Sequence, residues 1–382
     1  MLCIANALFL LINVGGVSIA AVKIGEGDKE GADKVFHHSI SMLLVVSFLL
    51  SAVGVFFTGS VCKLLGANET YFPFVYDYLF GYSLFIIPSG LSMGLQSYGR
   101  NDNVPQLVGV AVIISTLFNI FCDWFLIFVI PMGTKGASIA TGVSQTIALM
   151  ILLPHYLLKR GIFRFCLPKF DSRIIREIIM HGLPAGIGQL SPSVMTLCMN
   201  SVLIATVGNM GVNAFSIISY VASFTVAVFN GTSDGLQPLF GQSYGAGKME
   251  NLKFYFKSGV LINFVGSVIV TALLLTSGRP VCMLFGADSV TLAYVLEVMP
   301  FYSWGFIVMA FNMMIVAFLC ATDKSVLAIL ISTLRGIVLN AIVIFCVPAI
   351  FGGTAVWFTM GVYKAITLII AAGLLKYSRL LR

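Results

Sequence analysis

Long apolar runs, broken by short polar segments rich in glycine and basic residues, follow one another from end to end of the chain. Eleven of them, roughly 3–22, 39–62, 72–97, 106–130, 136–158, 182–207, 211–240, 258–278, 291–320, 326–350 and 354–375, reach the length of about 20 residues that a helix needs to cross the bilayer core. None alternates with period two, so the runs predict membrane helices and not barrel strands. The prediction is an all-α integral membrane protein with eleven spans.

The loops between the runs give an orientation. One alternate set holds Lys23, Lys29, Lys34, Arg100, Lys159, Arg160, Arg164, Lys169, Arg173, Arg176, Lys248, Lys253, Lys257, Lys324, Lys376, Arg379 and Arg382, against Lys63, Lys135 and Arg279 in the other. Seventeen against three is a strong positive-inside bias and predicts a cytoplasmic C-terminus. With eleven spans Met1 then lies outside, and residues 1–22 have no basic n-region of the kind a signal peptide carries.

Composition agrees. Charged residues are 10% and apolar types 59% of the 382 residues, with a mean hydropathy of +1.00, too little charge to clothe a water-facing surface. The net charge of +7 lies in the short loops, where it reads as topology and not as a nucleic-acid footprint. Eight cysteines contain no CxxC pair, which points to buried small apolar side chains and away from a zinc site or a disulfide framework.

The chain also repeats itself. Gly25-Glu26-Gly27 matches Gly245-Ala246-Gly247; Val61-Cys62, Leu64, Gly66 and Ala67 match Val281-Cys282, Leu284, Gly286 and Ala287; Asp77 pairs with Glu297 and Tyr82-Ser83 with Tyr302-Ser303, all 220 residues apart. Ser115-Thr116-Leu117 matches Ser332-Thr333-Leu334 at 217. This register predicts two homologous bundles, 1–158 and 181–382, joined by a basic amphipathic cytoplasmic linker at 159–180, in a parallel repeat about an axis along the membrane normal. The second bundle has six spans and the first has five, so the expectation is a twelve-helix plan whose first helix is missing from the N-terminus.

Asp234-Gly235-Leu236-Gln237-Pro238, followed by Gly241-Gln242-Ser243-Tyr244-Gly245-Ala246-Gly247-Lys248, resembles the eighth-helix signature of the multidrug and toxin extrusion (MATE) family. The Gly25–Gly31 turn, the Leu95–Asn103 segment and Asn119-x-x-x-Asp123 fit the same family, and Gln189 with Asn200 leans towards its bacterial MepA-like branch. The glycine-rich stretch is not a P-loop: Gly241 and Gly247 are one residue too far apart and Met249 stands where Ser or Thr belongs. The resemblance implies a bacterial plasma-membrane exporter of small amphipathic, often cationic compounds, a monomer driven by H+ or Na+ without other cofactor, and not an enzyme.

Ionisable groups within spans are functional candidates because lipid makes them costly. Asn119 and Asp123 are one turn apart, and Thr141 lies at a similar depth on the next span. The resemblance implies that these positions form a cation or proton site, completed by an aspartate on the first helix, so the site is expected to be incomplete here. Gln189, Asn200, Asp234 and Gln237, with Met195 and Met199 as an adaptable apolar wall, are read as lining a substrate cleft. Asp77 and Glu297 are expected to snorkel at the outer surface, and His37, His38, His155 and His181 to sit at the cytoplasmic interface. Three rival readings are a flippase for a lipid-linked precursor, which needs more cation than Arg335 and Lys364 provide, a membrane enzyme, which needs convergent His, Asp or Cys groups, and an inactive remnant.

Overall fold

A computed structural model describes residues 2–165, 170–286, 288–378 and 380. Met1, Cys166, Lys169, Ala287, Arg379 and Arg382, which entered the sequence argument, lie outside the described residues. The described regular structure is helical throughout. The helices are α1 (Leu2–Gly25), α2 (Lys29–Phe56), α3 (Thr58–Leu64), α4 (Phe72–Ser83), α5 (Ile86–Asn101), α6 (Pro105–Trp124) and α7 (Gly133–Leu157). After them come α8 (Ser172–Thr206), α9 (Asn209–Gly245), α10 (Met249–Leu284), α11 (Ser289–Ala321), α12 (Ser325–Thr333), α13 (Leu339–Phe351) and α14 (Thr359–Tyr377). A π-helical turn at Phe125–Val129 follows α6, and another at Leu334–Val338 joins α12 to α13.

Ten described segments are long and apolar enough to span a membrane, and α4 with α5 makes an eleventh that bends by 56°. The bend has a local cause. Pro88 has no N–H to give, and its ring would collide with the Leu84 carbonyl of a continuous helix. The Ser83 carbonyl at the break accepts a bond of 2.7 Å from the Ser51 hydroxyl, which supplies the partner a helix end otherwise lacks. Run 72–97 is therefore two helices at an angle and not one continuous helix.

The chain divides into two compact units, Met1–Gly182 and Leu183–Arg382. The stretch 159–180 is not all linker: from Ser172 onwards it is the start of α8. Within the first unit that start packs on α1 at glycine contacts. A Cβ on Gly182 would meet the Leu11 carbonyl oxygen at 1.6 Å, and one on Gly15 the Ile178 carbonyl oxygen at 2.0 Å.

The two units repeat each other in their backbones as well as their residues. Gly27 (φ +84°) corresponds to Gly247 (φ +68°), Gly66 (+78°) to Gly286 (+80°), and Asn103 (+60°) to Asp323 (+58°), each pair 220 residues apart. Left-handed backbone suits glycine and tolerates Asn or Asp, so these turns are fixed by residue type. The starts of α2 and α10, and of α6 and α12, keep the same spacing. Asp28 caps α2 by accepting from the Gly31 amide at 2.8 Å; that bond, with Lys23 beside it, holds the Asp28 carboxyl below its usual range.

One end of the first unit is closed by aromatic packing. Phe36 stacks on Tyr156 at 5.6 Å and on Phe163 at 5.1 Å and meets Tyr98 edge-on at 5.0 Å. The Tyr98 hydroxyl donates to Ser39 and the Tyr156 hydroxyl to the Leu95 carbonyl, both at 2.7 Å. The loop after α7 is held by Asp102, one carboxylate oxygen of which accepts from the Ile162 amide and the other from the His155 ring, each at 2.7 Å. His155 lies at its helix end as expected, but buried there as a structural partner, and His38 is buried as well. Asp102 and His155 border a cavity of about 740 Å³ lined also by Lys29, Arg160 and Arg164.

Two outcomes follow. Gly182→Ala should lose most of the monodisperse protein on fluorescence-detected gel filtration, because the neighbour is backbone that cannot yield, whereas Gly109→Ala, with nothing within 4 Å of its new Cβ, should not. Asp102→Ala strands the buried His155 ring donor, at about 1–3 kcal/mol, and the part-buried Ile162 amide; a lower melting temperature and faster proteolysis between Lys159 and Phe165 are expected, and unchanged values of both would contradict the role given to the carboxylate.

Candidate functional site

The apolar spans leave few ionisable groups away from their ends: Asp123 in the first unit, and Asp234, Arg335 and Lys364 in the second. In the first unit Asn119 and Asp123 project from one face of α6, four residues apart. The helix is the least enclosed of the spans, with 6% of its apolar window buried. Leu117, Ile120, Phe121 and Trp124 on it are exposed and meet lipid. Asp123 Oδ1 and Asn119 Nδ2 are nevertheless sealed from solvent, and neither has a hydrogen-bond partner. The π-helical turn begins two residues after Asp123, and such turns widen a helix and recur at functional positions.

Thr141 does not complete this pair by hydrogen bonding. Its hydroxyl donates to the Ala137 carbonyl at 3.0 Å. The group that the fold does bring near is Tyr78 of α4, within electrostatic reach of Asp123. Forty-five residues separate the two in sequence, and no spacing rule links them. Asp77 and Glu297, the other acids considered in spans, are exposed.

In the second unit the expected cleft residues fall into two groups. Gln189, Asn200 and Asp234 are half-buried and Gln237 is buried. Asp234 and Gln237 each make polar contacts, while Asn200 Oδ1 is enclosed without a partner. Met199 is fully buried in the core of this unit and Met195 packs against that core. The Tyr363 hydroxyl donates to the Met195 sulfur at 3.6 Å, and the Thr359 hydroxyl, which donates to the Val356 carbonyl, lies 3.9 Å from the Met199 sulfur. Met199 here is packing.

Two cations also lie among these helices. Lys364 of α14 is 7% exposed, with Nζ 5.2 Å from the centre of the Tyr363 ring. Arg335, in the π-helical turn after α12, is half-buried, with Nη1 enclosed and unpartnered. The two charges are close enough to act on each other electrostatically. Among the described residues neither forms an ion pair. A charge deep in a span costs roughly 2.5–3.5 kcal/mol on insertion scales. No group of His, Cys, Asp or Glu suited to a metal occurs among the described residues.

The comparisons agree on the family. The MatE family model matches residues 2–125 and 184–346. The multidrug export protein MepA of Staphylococcus saprophyticus is 23% identical over 372 residues, covering 96% of this chain and 81% of that protein. The FAD transporter of Shewanella oneidensis is 27% identical over 293 residues, covering 73% of this chain and 62% of that one. Among solved structures, an outward-facing multidrug resistance MATE transporter of the MOP superfamily superposes with a TM-score of 0.92 at 21% identity, over all of this chain and 86% of that one. A Pyrococcus furiosus transporter of the same superfamily, described as having a binding pocket of reverse polarity, gives the same score and identity with the same coverage. Matched by its family model over most of its length, this multi-pass membrane chain belongs to the MatE family, whose members are transporters and not enzymes.

Proposed function

We propose that this protein is a secondary exporter of small amphipathic molecules, organic cations among them, driven by H+ or Na+ entering at Asp123. The observation that carries the reading is the unpartnered, enclosed Asp123 Oδ1 one helical turn from an equally unpartnered Asn119 Nδ2. A carboxylate in low dielectric without a donor is costly, and a proton or a small cation supplies what is missing. Neutralising it changes which packing of the surrounding helices is favoured, and one charge moved through 100 mV delivers about 2.3 kcal/mol towards that change. The substrate site would then be exposed alternately to the two sides of the membrane.

Export is supported by the multidrug export proteins related over nearly the whole chain, and the orientation of the chain by seventeen basic residues on one set of loops against three on the other. That bias places the C-terminus in the cytoplasm of a bacterial cell. Gln189, Asn200, Asp234 and Gln237 offer one acid and three amides to a cationic substrate, and the exporter acts as a monomer.

Asp123→Asn should lower the rate of ethidium efflux driven by an imposed pH or Na+ gradient in proteoliposomes at least tenfold, with gel-filtration behaviour unchanged. Asn119→Ala should lower it less. Efflux by Asp123→Asn at the wild-type rate under both gradients would remove Asp123 from ion coupling, and comparing the two gradients in wild type names the ion.

A further inference from the structure

The second unit contains a polar cluster that cation export does not use. Arg335 stands where the widened π-helical turn interrupts the passage from α12 to α13. Its Nη1 is enclosed with no acceptor. Gly188 of α8 leaves space beside the guanidinium, since a Cβ there would stand 3.6 Å from Nη2 and touch nothing else within 4 Å. One turn before Arg335, on the same face, the Ser332 hydroxyl is also buried and unpartnered. Lys364, more than nine-tenths buried, stands against the Tyr363 ring and has no carboxylate partner among the described residues.

We infer that Arg335, Lys364 and Ser332 form a binding site for an oxyanion, the phosphate or carboxylate group of an amphipathic organic molecule. A planar guanidinium and an ammonium are the donors that recognise such groups, the first through paired N–H bonds and the second as a point charge. The duplication sharpens the contrast. The residue 217 positions after Asp123, in the offset that pairs Ser115 with Ser332, is Asn340, and the one that corresponds to Arg335 is Phe118. Neither the acid of the first unit nor the guanidinium of the second is therefore repeated in the other. The site extends the range of ligands beyond organic cations and does not depend on ion coupling at Asp123.

Equilibrium binding to the purified full chain tests it with two fluorescent probes that share a ring, 4-methylumbelliferyl phosphate and the neutral 7-methoxy-4-methylcoumarin. Wild type should bind the phosphate at least tenfold more tightly. Lys364→Met and Arg335→Gln should each abolish that preference, and Arg335→Lys should restore part of it. Without ligand, Lys364→Met should melt no lower than wild type, because it removes an uncompensated buried charge; a cation that served packing alone would give a lower melting temperature and an unaltered probe preference. Equal affinity of wild type for the two probes, or a preference that survives both substitutions, would overturn the assignment. Repeating the measurement in nanodiscs with and without phosphatidylglycerol separates the sources of the anion: competition by the anionic lipid assigns the site to a lipid phosphate, and its absence to a soluble one. The binding assay imposes no gradient, so its outcome is independent of the efflux measurement on Asp123.

Discussion

Hydrocarbon supplies no hydrogen bonds, so every polar group carried into the bilayer must be answered from within the protein. Most of this chain obeys in the simplest way, by helices whose serine and threonine hydroxyls fold back on the carbonyl one turn earlier. Thr141, Thr146, Thr225 and Thr367 all do so at 2.7–3.0 Å. Each such bond removes a polar group from the list of those available to a ligand. What remains after this subtraction is thirteen described residues with an enclosed, unpartnered side-chain atom, mostly asparagines and serines, and among them only Asp123 in the first unit and Arg335 in the second are ionisable. Lys364, buried beside the Tyr363 ring with no carboxylate partner among the described residues, joins them. The functional reading rests on this remainder and not on the number of polar residues in the spans.

The same subtraction explains which parts of the fold were legible in the sequence. Run lengths fix the spans because hydrocarbon thickness does, and the repeat is visible because left-handed turns at Gly27, Gly66, Gly247 and Gly286 tolerate few replacements. The break in the third span was also encoded, by Pro88, although a hydropathy window averages over it. Long-range partners left no such mark. Tyr78 approaches Asp123 from another helix, and Asp102 reaches both His155 and the Ile162 amide only because the loop after α7 folds back. Thr141 shows the opposite error: equal depth on neighbouring spans places two residues at one level but does not decide where a hydroxyl turns. Met199 shows another, since a methionine on a flexible wall and one in a packed core have the same spacing.

Duplication adds a constraint of its own. Two copies of one helical plan share their left-handed turns, and each has a π-helical turn in the corresponding span, although at the offset of 217 the turn at Phe125–Val129 falls on 342–346, past the one at Leu334–Val338. A widened turn leaves backbone and side chains less evenly packed, which gives a place where a charge can be kept without a fixed partner. The first copy keeps an acid two residues before its turn and the second a guanidinium within its own. Identical scaffolds therefore need not imply identical ligands, and the lining of each copy has to be read on its own.

An uncompensated charge is a cost to the resting protein, and it is also the means by which a ligand can change it. Shifting a two-state equilibrium from 1:99 to 99:1 requires a difference in binding free energy of about 5.5 kcal/mol between the states. A ligand that meets only satisfied groups gains little from one packing over another and cannot supply this. One that meets an enclosed carboxylate, or a guanidinium with no acceptor, gains the whole of the compensation in the state that aligns it and little in the state that does not. Removing such groups should make the protein more stable and less able to change state, and that opposition separates a site of this kind from an ordinary buried ion pair, whose loss weakens the fold and leaves nothing to bind.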